Sequence, residues 1–176
     1  MANKGKAPLP RVRAMCVTAV FMALTVISGM WSLPLGMAHI YLTDIFVCIA
    51  ALLLPPGWSW IAGGVGAFLG DLIFYPQAML VTLITRTVQC LVIGFIKVYL
   101  PRKHRLVRDA LAVSAGVIIM VCGYTAGHML MYTSSWKAVL ISYVPPQVIQ
   151  AVLGAVAAVF VTHAFHLEKR MRKTAI

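Results

Sequence analysis

Charge is what this sequence has least of. Asp, Glu, Lys and Arg together make up 11% of 176 residues, and only four of those side chains are acidic. A large aqueous domain is excluded, because soluble domains carry about 25% charged residues. Catalytic signatures are also missing: there is no HExxH, no GxSxG and no GxxxxGK[ST], so the chain has no Walker motif of its own for ATP hydrolysis. His39, His128 and His163 lack the compact spacing of a metal site, and no metal is expected. His163 and His166 fall near the inner boundary, away from any outer cavity. The four cysteines, Cys16, Cys48, Cys90 and Cys122, form no CxxC and fall in separate apolar segments, where a free thiol acts as a small apolar group. No low-complexity tract, long linker or internal repeat is visible, nor is a carbonyl filter or acidic ring for ion conduction.

What is present is apolar length. Hydrophobic residues make up 61% of the chain, and the mean hydropathy is +0.91. A spanning helix needs about 20 mostly apolar residues, and the hydropathy pattern predicts an all-α membrane protein with six transmembrane helices at residues 12–31, 41–54, 58–74, 79–99, 107–131 and 146–165. Pro55, Pro56 and Gly57 mark the turn between the second and third helices, and Pro145 and Pro146 suit the first turn of the sixth. The intervening residues 133–144, with Trp136 and Tyr143, read as a loop or short interfacial helix able to act as a lid. The first apolar stretch follows Lys4, Lys6, Arg11 and Arg13 without a small-residue cleavage site, so it is expected to remain as helix 1.

Basic residues cluster before helix 1, between helices 4 and 5, and after helix 6. Six crossings place all three clusters on one side, and the positive-inside rule makes that side, with both termini, cytoplasmic. The expected organisation is a basic tail at residues 1–11, a membrane domain at 12–166 and a second basic tail at 167–176. Topology and attraction to anionic lipid account for the net charge of +11, so no nucleic-acid partner is expected.

Arg86 interrupts the apolar stretch 79–99. A guanidinium there needs a counter-charge or a water-filled cavity, and intramembrane charges usually face a bundle interior. Asp71 and Asp44 are the candidate partners, and Gln89 shares the face of Arg86. Gln147 and Gln150, with His39, Tyr75, Gln77, His128, Tyr132 and Trp136, map to the outer half. Such a mixture suits a small planar or amphipathic ligand, with aromatic surface for its body and a few polar groups for orientation. Ala19 and Ala23, four residues apart, give helix 1 a small-residue face. Ala62, Gly66 and Gly70 on helix 3, and Gly123 and Gly127 on helix 5, read as internal packing faces.

The order of these features resembles the substrate-binding S component of energy-coupling factor (ECF) transporters, in the riboflavin-transporter-like branch. The most telling stretch is LTDIFVCIAALLLPPGWSWIAGGVGAFLGDLIFYPQAM, residues 42–79, joined by VPPQVIQAVLGAVAA at 144–158 and AVFMA at 19–23. The resemblance implies a prokaryotic plasma-membrane subunit that captures a vitamin or precursor outside and topples inward. Its implied partners are a transmembrane coupling subunit and two ATPase subunits; ATP and magnesium would belong to those ATPases, and this chain would need no cofactor. Ala19 and Ala23 match the family's docking AxxxA. The ligand regions of the family correspond here to His39, Tyr75, Gln77, Arg86, Gln89, His128, Tyr132, Gln147 and Gln150. Pyridoxine-type and hydroxymethylpyrimidine-type ligands stand slightly ahead of pantothenate, riboflavin and cobalamin. Two alternatives remain at this stage: a noncatalytic membrane scaffold, and an intramembrane enzyme using Asp71, Asp44 and a histidine.

Overall fold

Proline placement and apolar length set the helix ends. The computed structural model describes residues 11–35, 38–100, 105–132, 137, 141 and 143–165. Six helices are present among them: α1 (Arg11–Gly29), α2 (Thr43–Leu53), α3 (Pro56–Phe74), α4 (Met79–Tyr99), α5 (Arg105–Tyr132) and α6 (Val144–Ala164). Five of these are long and apolar enough to cross a membrane; α2 is shorter, at 11 residues. At 1.5 Å per residue α2 spans only about 16 Å. Its end is fixed by Pro55 and Pro56, which force the preceding backbone out of the helical region: Leu54 and Pro55 both have ψ of 153°.

The all-α expectation holds for the bundle, to which the structure adds one short hairpin. Residues 32–40, read from sequence as a connection, and Tyr41, read as the start of the second helix, contain two strands, β1 (Ser32–Leu35) and β2 (Ala38–Tyr41), paired antiparallel with Ser32 opposite Tyr41 and Leu35 opposite Ala38. Backbone N–H and C=O groups between two membrane helices need partners within the protein, and a hairpin supplies them. Strands of four residues are too short to leave a periodic signal. Residues 1–10 of the N-terminal tail, the C-terminal tail, Trp136 and His166 lie outside the described residues, as does most of the stretch 133–142, while Arg11 opens α1.

Side-chain contacts show that successive helices alternate in direction. Gly29 at the end of α1 lies beside Phe74 at the end of α3. Lys97 near the end of α4 donates to the Leu52 carbonyl at the end of α2, a cation placed where the helix dipole is negative. At that same end, Arg108 donates to Asp109 at 2.9 Å, and Asp109 also meets His163 Nε2 at 3.2 Å, joining the start of α5 to the end of α6. His163 therefore sits far along the chain from the α6 glutamines.

Helix α2 occupies the middle of the bundle. Val47, Cys48, Ala50, Ala51 and Leu52 are buried, and α2 packs against α1, α4 and α6, as expected of a helix apolar on every side. Beside it, α3 opens into a π-turn at Ile61–Val65. There Gly64 lets α4 approach: a Cβ on it would collide with Thr87 Oγ1 and stand 3.2 Å from the Thr87 backbone. Gly64→Ala is therefore expected to cost about 1–3 kcal/mol, read as a lower midpoint of thermal unfolding in detergent. Gly57→Ala, with nothing within 4 Å of the new methyl, is expected to leave that midpoint unchanged.

Candidate functional site

Three polar side chains line one face of α4. Thr82, Arg86 and Gln89 follow the i, i+4, i+7 spacing of a single helical stripe and are all buried. Arg86 is 3% exposed, and its Nη1 pairs with Asp44 of α2, which is 2% exposed. The same Nη1 donates to Gln89 Oε1 at 3.0 Å. Gln150 of α6 closes the group by donating from Nε2 to Asp44 Oδ2 at 2.5 Å. A buried ion pair offsets its desolvation only with further hydrogen bonds; each glutamine supplies one, while Arg86 Nε stays buried without a partner. Gly154, one turn beyond Gln150, makes the contact possible: a Cβ there would lie 2.6 Å from Asp44 Cβ.

Asp71, the other candidate partner for Arg86, bonds elsewhere. Thr82 donates to Asp71 Oδ2, and Tyr124 of α5 donates its hydroxyl to Thr82 Oγ1 at 3.0 Å. The Tyr124 ring also faces Arg86, with the guanidinium carbon 5.3 Å from its centroid, within range of a cation–π contact. Three helices are thus tied together by hydroxyl groups next to the ion pair.

Above this polar floor lies a cavity of about 530 Å³. Its walls are Ala67, Asp71 and Phe74 from α3, the turn Tyr75 to Ala78, Val81, Thr82 and Arg86 from α4, and Met120, Tyr124, Gly127 and His128 from α5. Tyr143, Pro146, Gln147 and Gln150 close it from the start of α6, with Gly29 and Thr43 opposite. His128 and Tyr143 meet in its wall with their rings tilted by 41° and centroids 4.1 Å apart. Gln147 Oε1 is buried without a hydrogen-bond partner. The arrangement can hold a flat ring between aromatic surfaces while amide, hydroxyl and carboxylate groups read its edge.

Of the residues singled out from sequence, Tyr75, Gln77, Arg86, His128, Gln147 and Gln150 line this cavity. Gln89 does not line it and instead supports Arg86 from within the core. The side chains of His39 on β2 and Tyr132 at the end of α5 lie outside the described residues. Ala19 and Ala23 lie on the exposed face of α1, away from the buried Ala14, Thr18 and Thr25. Thr82, Tyr124 and Gly154 were missed. Thr82 carried a signal, one turn before Arg86 on the same face; a tyrosine within an apolar helix and a lone glycine carried none.

A family model described as "ECF-type riboflavin transporter, S component" matches residues 10–166. The chain belongs to that family. The resemblance drawn from its motifs is thereby borne out, and with it the assignment to integral membrane subunits that bind substrate for transport rather than catalyse a reaction. Among solved structures, the S component for biotin from an ECF-type ABC transporter shares the fold, with a TM-score of 0.67 over 90% of this chain and 95% of that one at 18% identity. A protein of Pyrococcus woesei, described as an uncharacterized protein in gap 3'region, is 30% identical over 112 residues, or 62% of this chain and 74% of that one.

The ion pair makes a stability prediction. Asp44→Ala leaves a buried guanidinium uncompensated and is expected to cost about 3–5 kcal/mol. Asp71→Ala removes a hydrogen bond from a partly exposed carboxylate and is expected to cost about 1 kcal/mol. Unfolding of the purified variants in detergent separates the two.

Proposed function

We propose that this chain captures a vitamin or vitamin precursor at the outer face of a prokaryotic plasma membrane for an ATP-driven importer. The cavity over the Arg86–Asp44 floor carries the reading, because a partly open, aromatic-walled space with polar groups at its base is what reversible capture of a small heteroaromatic requires. Its volume favours a ligand of one or a few fused rings over cobalamin. Pyridoxine-type and hydroxymethylpyrimidine-type ligands fit best, with riboflavin next.

All six helices cross the membrane in this reading. The short α2 does so inside the bundle, and the β1–β2 hairpin, which touches α6, covers the remaining depth; non-helical backbone is tolerated there when protein surrounds it. Only then do the basic clusters before α1, around Lys97 to Arg108 and after α6 share the cytoplasmic side. Ala19 and Ala23 on the exposed face of α1 would seat the transmembrane coupling subunit, and two ATPase subunits would supply the toppling motion that carries the cavity inward.

Two measurements test this proposal. A ligand at about 1,000 times its dissociation constant should stabilise the detergent-purified chain by about 4.1 kcal/mol, so a thermal-shift screen of vitamins and precursors is expected to give one selective, saturable shift. Replacing both Ala19 and Ala23 with leucine is expected to abolish co-purification with the coupling subunit and ATPases while leaving that shift intact. Normal assembly in the double variant would remove α1 as the docking face.

A further inference from the structure

Among the described residues that line the cavity, Arg86 is the only permanently cationic one, and Asp44 already answers its charge. Asp44 faces Arg86 through Oδ1 and accepts from Gln150 at Oδ2, so the pair is neutral as a unit, although Arg86 Nε stays buried without a hydrogen-bond partner. Among the described residues of the lining, no uncompensated positive charge is left to receive a carboxylate or a phosphate. Asp71 stands in the wall as a second carboxylate. Thr82, which itself accepts from Tyr124, donates to Asp71 Oδ2, and Oδ1 is the oxygen that a ligand N–H or O–H would meet. The unpartnered buried Gln147 Oε1 asks for a donor as well, since a buried acceptor left without one is costly. The faces of Phe74, Tyr124 and Tyr143, negative at their centres, add to the same preference.

We infer that the cavity selects a neutral or cationic heteroaromatic that offers hydrogen-bond donors, that it rejects carboxylated and phosphorylated relatives of the same ligand, and that Asp71 is the residue enforcing this selection. The inference rests on the importer reading above. It separates this chain from one that takes an acid such as pantothenate or biotin.

The test is isothermal titration of the detergent-purified full chain with ligand pairs that differ in charge. The pairs are riboflavin and riboflavin 5'-phosphate, pyridoxine and pyridoxine 5'-phosphate, 4-amino-5-hydroxymethyl-2-methylpyrimidine and its phosphate, and biotin methyl ester and biotin. Two like charges about 6 Å apart at an effective dielectric of about 20 repel enough for a penalty of about 100-fold. In whichever pair binds, the anionic member is expected to be weaker by about that factor, and Asp71→Asn is expected to narrow the ratio by about tenfold or more. An anionic member that binds as tightly as its partner would overturn the charge rule and leave the importer reading standing. An unchanged ratio in Asp71→Asn would remove Asp71 from the selection. Absence of binding by every pair in folded protein would overturn the importer reading, and the rule with it.

Discussion

A guanidinium in the middle of an apolar bundle demands a counter-charge, and the contact between Arg86 and Asp44 meets that demand. Much of the structure follows from it. Asp44 must sit at the start of a helix that runs through the centre of the bundle, so α2 is buried along its length. Gly154 must be small for α6 to come against Asp44, and Gln150 one turn earlier must face inward to complete the carboxylate. The ion pair joins α2 to α4, and Gln150 brings in α6. Such a pair adds little net stability, but removing half of it is severe; its value is that it specifies which helix faces meet.

That same pairing shapes what the cavity can do. A free arginine would make the site an anion trap; an arginine already neutralised becomes a polar floor that orients a ligand without attracting charge. Asp71 then contributes the field that remains. The hydroxyl chain from Tyr124 through Thr82 to Asp71 fixes that carboxylate on the wall, so fold and selectivity draw on neighbouring residues of one stripe on α4.

Much of this was legible in the sequence for physical reasons that act locally. Pro55 and Pro56 end a helix wherever they occur, and the apolar stretch 79–99 reads directly as a helix because its length matches a bilayer. Arg86 marked the site because charge in such a stretch needs an explanation. The choice between Asp44 and Asp71 was not legible, because pairing across helices depends on which faces meet, and nothing in helical spacing decides that. The hairpin at residues 32–41 escaped because four-residue strands are shorter than the window over which alternation can be recognised. Tyr124 escaped because an aromatic residue in an apolar helix is equally at home facing lipid, and only the position of Thr82 on the neighbouring helix reveals its partner.

The most direct test of the neutralised floor is the ligand affinity of the Asp44→Asn, Arg86→Gln double variant, in which two amides of similar shape replace the ion pair. A neutral vitamin bound by the parent chain is expected to bind the folded double variant within about tenfold, because replacing both partners leaves no buried charge uncompensated. A loss of about a thousandfold or more in that folded variant would mean that the ligand draws directly on the charge of Arg86, and would contradict the account.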